Sequence, residues 1–219
     1  MKQEFAPMDS ALAGLYASTP QPLPFAPTLD IRAFLLRREE GNLLVYSVAT
    51  LDSDAAAIHG LGGVARHYLN HRHEAMFAPG SFVAPLFIHE DERESVEGKM
   101  HVDETFSGRH VHGDDFEVIP IPGHTRGTTA FLWDSGEHRV LFTGDTIYLD
   151  DGEWVAAVLE SSDRGRYVES LEAMRELDFD VLVPWAATRA QPYRAVASRA
   201  EVRRRIDAII ARVRRGEDR

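Results

Sequence analysis

The sequence predicts an α/β protein built from two similar sheet-and-helix halves. Of its 219 residues, 44% are hydrophobic and 27% are charged, as in ordinary soluble globular proteins. Short apolar runs bounded by turn residues alternate with amphipathic segments, which is typical of strands and helices in one α/β domain. A hairpin pattern, AFLLRREEGNLLVYSV from Ala33, is echoed without a gap as AFLWDSGEHRVLFTGD from Ala130. The echo favours two similar halves, although any two hydrophobic hairpins share part of this pattern.

The first half is predicted to contain four strands and one helix. IRAFLLRREEGNLLVYSVA reads as two strands that meet at a turn around Glu40-Gly41-Asn42. DSDAAAIHGLGGV predicts a short helix that is capped by Asp52 or Ser53 and ended by glycine. ARHYLNH predicts a short strand that runs into a loop, and VAPLFIHE suits a buried strand.

The second half repeats this layout. DDFEVIPIPGH predicts a strand and a turn, TTAFLWDSGEHRVLFTGD a hairpin, RGRYVESLEAMREL an amphipathic helix and FDVLVPWA the last strand. Residues 198–215 predict a terminal amphipathic helix with a stripe of aliphatic side chains on one face. The stripe consists of Val202, Ile206, Ile209, Ile210 and Val213.

The domain prediction is an N-terminal arm followed by one domain. Residues 1–29 hold four prolines between positions 20 and 27, which favours extended or loop structure. This arm either is mobile or covers the surface of the domain. Residues 30–219, including the terminal helix, are predicted to form the single domain.

Composition limits the chemistry and the location. The chain has no cysteine, which excludes disulfides, thiolate metal sites and cysteine nucleophiles, so a transition metal must bind histidine and carboxylate. No apolar run approaches the ~20 residues that span a bilayer. No apolar core of a signal peptide follows Lys2, so a cytoplasmic location is expected.

The charge distribution disfavours a nucleic-acid partner. The net charge is -11, and residues 199–219 hold eight arginines against four acids, which leaves the rest of the chain more acidic still. An acidic body repels phosphates. We expect the arginines of the terminal helix to lie in water or pair with the acidic body rather than bind anionic lipid.

Three short motifs supply candidate site residues. His71 and His73 in HRHEA follow a strand, and in extended backbone residues i and i+2 point the same way, so both imidazoles can reach one ion. His124 lies in the tight turn IPGHTRGT after an apolar strand. Asp145 ends the apolar strand in VLFTGDTIY, where it can bridge or orient a cation. Taken singly, each also reads as an ordinary loop or turn residue.

The order and context of these motifs resemble the metallo-β-lactamase superfamily. PGHTRGTTAFLW and VLFTGDTIY are especially similar to its glyoxalase-like hydrolases, and GRYVESLEAMREL ahead of DVLVP resembles the segment before its last metal histidine. The resemblance covers about residues 30–190. It implies a four-layer αββα sandwich of two mixed β-sheets flanked by helices, with His71, His73, His124 and Asp145 around the metal.

The sequence departs from the family pattern at the second metal position. The H-x-H-x-D-H motif continues here with Ala75 and Met76, and VPWAA places Ala186 where the last histidine is expected. Alanine cannot bind a metal, and methionine is a soft ligand that is unsuited to zinc among nitrogen and oxygen donors. A degenerate second site is therefore expected, with one divalent ion or none.

Two functions follow from the resemblance and its departures. The first is a mononuclear metal-dependent hydrolase of an ester, thioester or amide that uses a metal-bound hydroxide, with Asp145 as catalytic residue. Zinc is favoured, and iron or manganese are alternatives. The second is a catalytically silent member that binds a small molecule or a protein. A superfamily nuclease is disfavoured by the acidic body and the missing second ion.

The expected partner is a small-molecule substrate or ligand, with neither nucleic acid nor membrane, and a homodimer is left open. Large side chains near strand ends are candidates for the pocket wall, with plain packing as the alternative for each. These candidates are Met76, Phe77, Tyr148, Trp154 and Trp185.

Overall fold

The computed structural model describes the backbone of Ala6–Pro7 and residues 12–219 in full. The chain divides into two compact units, Met1–Ser107 and Gly108–Arg219, called unit 1 and unit 2 below. None of the helices in these described ranges is long and apolar enough to cross a membrane.

The described residues of unit 1 form one large mixed sheet, a hairpin that is not part of that sheet and two α-helices. Its strands are β1 (Ala6–Pro7), β2 (Leu15–Ala17), β3 (Gln21–Leu23), β4 (Ala26–Ile31), β5 (Phe34–Leu36), β6 (Leu43–Val45), β7 (Arg66–Tyr68), β8 (Leu86–His89) and β9 (Glu104–Phe106), and its helices are α1 (Leu51–Gly60) and α2 (Arg93–Val96). The large sheet has the order β1-β2-β5-β6-β7-β8-β9, and β3 pairs with β4. Two 3₁₀ helices, Arg72–Phe77 and Glu90–Glu92, follow β7 and β8.

Unit 2 is also built from strands and α-helices. Its strands are β10 (His110–His112), β11 (Phe116–Pro120), β12 (Thr129–Asp134), β13 (Arg139–Gly144), β14 (Tyr148–Asp150), β15 (Glu153–Val155), β16 (Val181–Pro184), β17 (Ala186–Thr188) and β18 (Ala195–Val196), and its helices are α3 (Arg164–Glu176) and α4 (Arg199–Arg214). One mixed sheet has the order β10-β11-β12-β13-β16-β18. Beside it, β14 pairs with β15 and, in parallel, with β17.

The hairpin echo seen in the sequence is a structural repeat. In β5–β6, Phe34 pairs with Val45, and in β12–β13 the overlaid positions Phe131 and Phe142 pair in the same register. The second strand of each hairpin then pairs in parallel with a later strand, β6 with β7 and β13 with β16. A helix lies in each connection, α1 in the first and α3 in the second. The prediction of two similar sheet-and-helix halves is confirmed.

Apolar stripes on the two helices of unit 2 form its core. The aliphatic stripe predicted for the terminal helix is buried on α4, which packs against α3. Their core cluster includes Tyr167, Leu171, Ile206 and Ile209. The arginines of α4 pair with acids of unit 2, including Arg203 with Glu176 at 2.6 Å, as expected from the sequence.

The predicted arm falls partly outside the described residues. From Leu15 onward it forms β2, β3 and β4, and β2 pairs with β5 in the large sheet of unit 1. Extended structure was expected here because of the prolines, and Leu15 and Leu23 are buried. The division into an arm of residues 1–29 and a domain of residues 30–219 stays a prediction.

Candidate metal centre

His71 and His73 follow the C-terminal end of β7. His71 has extended backbone (φ -161°, ψ 169°) and precedes the 3₁₀ helix that begins at Arg72. The assumption that the extended backbone continues through His73 was wrong, because the helical turn begins between the two residues. The turn nevertheless keeps the rings close, with centroids 5.0 Å apart at an interplanar angle of 87°.

Glu74 fixes the loop that carries these histidines. Its fully buried carboxylate accepts backbone N–H bonds from Ser47 at 2.8 Å, Asn70 at 2.7 Å and His71 at 3.1 Å. Burial raises the pKa of the Glu74 carboxyl, while hydrogen bonds, including those from His71 and Ser47, oppose this shift. The Glu74 carboxylate therefore holds the backbone of this loop in place.

His124 is oriented by a hydrogen bond to a carbonyl. Its Nδ1 lies 2.7 Å from the carbonyl oxygen of Ala157. Because a carbonyl oxygen only accepts, Nδ1 carries the hydrogen and Nε2 keeps its lone pair for a ligand. Metal-binding histidines are commonly fixed in this way. The ring is buried, with 1% of the residue surface exposed.

The turn before His124 requires glycine at position 123. Gly123 has φ +146°, and a Cβ there would lie 2.4 Å from Cα of Tyr167 in α3. The main chain of Gly123 also accepts a hydrogen bond from Asp163 N at 2.9 Å, and Ser170 Oγ donates to Pro122 O at 2.7 Å. The start of α3 therefore sets the position of this turn.

Asp145 follows the end of β13, close to His124. Its Oδ2 lies 3.8 Å from His124 Nε2, and its side chain is 19% exposed. The buried hydroxyl of Tyr167 donates to Thr146 O at 2.7 Å and to Asp145 O at 3.3 Å, and it accepts from Ala157 N at 3.2 Å. Burial, followed by the charge of Asp145, raises the pKa of Tyr167 well above its usual value, so the hydroxyl keeps its proton.

Tyr167 and Glu74 hold the backbone around the candidate site, and neither role was predicted from the sequence. Tyr167 holds the backbone next to Asp145 and the backbone whose carbonyl orients His124. In the sequence it was only one apolar position of an amphipathic helix. Such a role follows from three-dimensional proximity, which periodicity does not report.

The three predicted histidines form a group that could hold a metal ion. One ring nitrogen from each of His71, His73 and His124 lies within 4.8 Å of the other two. The donor set fits zinc, which binds three histidines and a fourth exchangeable ligand in catalytic sites. The lone pair at His124 Nε2 and the burial of His71 and His124 are consistent with this fit.

The predicted pocket residues have different environments. Met76 is 52% exposed, whereas Phe77, Tyr148, Trp154 and Trp185 are each less than 9% exposed. Trp154 belongs to the core cluster of unit 2 and stacks on Phe179 with ring centroids 6.4 Å apart. This packing accounts for Trp154, and a wall position for the five residues stays a prediction.

Comparisons with known proteins agree with the site and the fold. The family model described as metallo-beta-lactamase superfamily matches residues 53–186, more than half of the chain. The search of curated proteins finds no match. Many solved structures match, and three of them are described here.

A metallo-β-lactamase from Hirschia baltica is 14% identical, with a TM-score of 0.66 over 90% of this chain and 94% of that chain. The subclass B3 metallo-β-lactamase of Bradyrhizobium japonicum is 14% identical, with a TM-score of 0.64 over 99% and 96%. A class B3 di-zinc metallo-β-lactamase from an Alaskan soil metagenome is 16% identical, with a TM-score of 0.59 over 92% and 90%. At these identities the likeness shows the fold, and it supports the predicted αββα sandwich. With the family model matched across both the H-x-H and the P-G-H-T motifs, the chain belongs to the metallo-β-lactamase superfamily.

Proposed function

We propose that the protein is a mononuclear metal-dependent hydrolase acting on an ester, a thioester or an amide. The observation that carries this proposal is the group formed by His71, His73 and His124, with Asp145 beside His124. The glyoxalase-like character of the sequence around His124 supports an ester or thioester more than a β-lactam. A cytoplasmic location and a small-molecule substrate belong to the same proposal.

Zinc is the proposed ion, with iron or manganese as alternatives. When bound, a zinc ion on three histidines supplies a water that is acidic enough to be a nucleophile near neutral pH. The chain would hold the ion through His71, His73 and His124. His124 contributes a fixed lone pair at Nε2, because Ala157 O holds the hydrogen on Nδ1.

Asp145 is the proposed catalytic carboxylate. Its Oδ2 lies 3.8 Å from His124 Nε2, the ring nitrogen that would bind the ion. A carboxylate there accepts a hydrogen bond from the attacking water and can hold its proton. Tyr167 fixes the backbone of this aspartate, which limits the directions in which the carboxylate can point.

The residues at the second-site positions support one ion rather than two. Ala75 and Ala186 are buried at 2% and 3% exposure and have no donor atom, and Met76 offers only a thioether. In a dinuclear hydrolase these positions help bind and protonate the leaving group. We therefore propose slow turnover, or a leaving group that departs without such help.

The alternative function is ligand binding without catalysis. The observation that favours it is the same set of residues, since three ligands are replaced together at Ala75, Met76 and Ala186. Under this alternative the histidine group either holds an ion for structure or holds none.

A substrate panel separates the two proposals. Thioesters, aryl esters and anilides would be assayed with zinc-loaded protein, with chelated protein and with the His124→Ala variant. His138→Ala is the matched control, because His138 pairs with Asp180 on the surface of the same unit. The hydrolase proposal predicts turnover that is lost on chelation and in His124→Ala but kept in His138→Ala. Turnover that survives in His124→Ala would contradict catalysis by the histidine group, and an absence of turnover on all of these classes would favour the binding protein.

A further inference from the structure

A cavity in unit 1 lies apart from the histidine loop. Its volume is about 380 Å³, within the range of small-molecule pockets, ~300–1,000 Å³. Residues 79–80, 82–86, 99–101 and 103 line it, together with His67. These segments lead into β8 and β9, which run parallel to β7, so the cavity lies at the N-terminal ends of these strands. His71 follows the opposite end of β7.

The walls of this cavity are largely hydrocarbon. Phe82, Val83, Leu86 and Met100 contribute apolar side chains to the lining. Val83 is 90% exposed, an unusual position for a large aliphatic side chain that nothing covers. An apolar ligand body would bury this surface from water.

One carboxylate holds the wall segment in place. Asp52 in α1 accepts backbone N–H bonds from Gly80 at 2.7 Å, Ser81 at 2.9 Å and Phe82 at 2.7 Å. The backbone hydrogen bond from Ser81 is the largest cause that lowers the pKa of Asp52 to about 2, so the carboxylate is ionised at neutral pH. The cavity wall is thus formed before any ligand arrives, which limits the entropy lost on binding.

Lys99 supplies a positive charge in the lining of the cavity. Across the described residues, no ion pair or side-chain hydrogen bond engages the ammonium of Lys99, which lines the cavity. The other charged groups there are occupied, since His101 Nδ1 lies 3.1 Å from Glu97 and Asp103 Oδ2 accepts from Leu86 N at 2.8 Å. The Asp103 carboxylate disfavours a ligand with several negative charges.

His67 adds a polar but uncharged surface. It is 1% exposed, and its Nε2 donates to Tyr46 O at 2.9 Å, which leaves Nδ1 as an acceptor. Burial lowers the pKa of His67 to about 4, so the ring is neutral at pH 7. The cavity therefore combines apolar walls, one neutral imidazole, the ammonium of Lys99 and the carboxylate of Asp103, which is already hydrogen-bonded to Leu86 N.

We propose that this cavity binds a small monocarboxylate with an apolar body. The carboxylate pairs with Lys99, and the hydrocarbon packs against Phe82, Leu86 and Met100. The site is separate from the histidine group, and the proposal holds whether or not those histidines bind a metal.

The test is a pair of titrations of the ¹⁵N-labelled full chain, followed by NMR, with hexanoate and with hexan-1-ol as probes. We expect saturable shifts of the backbone amides of residues 82–84, 86 and 99–103. Hexanoate is expected to bind about two- to fivefold more tightly than the alcohol, the ratio for one partly exposed ion pair. Shifts confined to the neighbours of His71 and His124, or no saturable shift, would overturn the proposal.

Two variants and a matched control test the roles of the charge and of the cavity volume. Lys99→Met should remove the preference for hexanoate and leave hexan-1-ol binding unchanged, whereas Arg37→Met removes an exposed cation of unit 1 that does not line the cavity and should change neither. Ala84→Trp fills the cavity and should weaken both probes. The proposal is wrong if Lys99→Met keeps the preference, or if Ala84→Trp leaves the binding of both probes intact.

Discussion

At the scale of single residues, buried polar groups hold the loops that carry the candidate ligands. Glu74 ties Ser47, Asn70 and His71 together through three backbone N–H bonds, although in the sequence it is only the residue after His73. The sequence predicted the three histidines that lie close together, because residue types and motif spacing can be read from it directly. It did not predict Glu74 as an anchor, because that role depends on a residue 27 positions away.

Glu74→Gln is expected to lower the free energy of unfolding by about 1–3 kcal/mol. The amide nitrogen of glutamine cannot accept, so at least one buried backbone N–H loses its partner. Urea denaturation followed by circular dichroism measures the change. Glu90→Gln, at an exposed position, is the matched control and should fall within about 0.5 kcal/mol of the parent. Equal stability of the two variants would contradict the anchoring role.

His67 predicts a loss of stability in acid. Its folded pKa of about 4 lies below the usual 6.5, so protons bind the unfolded chain more tightly than the folded one. The contribution is complete above pH 6.5 and is lost as the pH falls from 6.5 to 4, by up to about 3 kcal/mol. Urea midpoints across this range measure it.

The His67→Gln variant is expected to show a flatter dependence of stability on pH than the parent over the same range. An identical slope in the two proteins would mean that other groups cause the acid sensitivity.

At the scale of elements, α3 organises the second half of the candidate site. The turn at Gly123 packs on the backbone of Tyr167, and the hydroxyl of Tyr167 joins the segments of residues 145–146 and 157. The sequence predicted α3 and its buried face from periodicity. A periodic pattern does not show which residue of that face forms a hydrogen bond with a loop.

Tyr167→Phe is expected to weaken metal binding about tenfold, as is usual when a group that orients metal ligands is removed. The variant keeps the ring but leaves Thr146 O and Ala157 N without the hydroxyl. Competition with a chromophoric zinc chelator measures the affinity independently of any activity. Tyr193→Phe, which alters a tyrosine packed against the same core cluster, should bind metal like the parent. Unchanged affinity in Tyr167→Phe would show that its hydrogen bonds serve only the fold.

At the scale of the whole molecule, the chain has the family's fold but departs from the family's pattern at the second metal position. The two hairpins, the helix in each half and the terminal helix were all predicted from periodicity, because each is a local pattern with a buried face. The 3₁₀ helix that begins at Arg72 was missed, since the six residues RHEAMF are too few to show a period. The three candidate histidine ligands are present in this chain, while the second-site positions hold Ala75, Met76 and Ala186.

The most direct test of the proposed single-ion centre is the metal content of the protein purified without chelator or added metal. Elemental mass spectrometry would be applied to the parent chain, to the His71→Ala/His124→Ala double variant and to the His138→Ala control. We predict about one equivalent of zinc, iron or manganese per chain in the parent and in His138→Ala, and none in the double variant. Two equivalents in the parent would contradict the single-ion site, and no stoichiometric metal even after titration with zinc would contradict the metal centre itself.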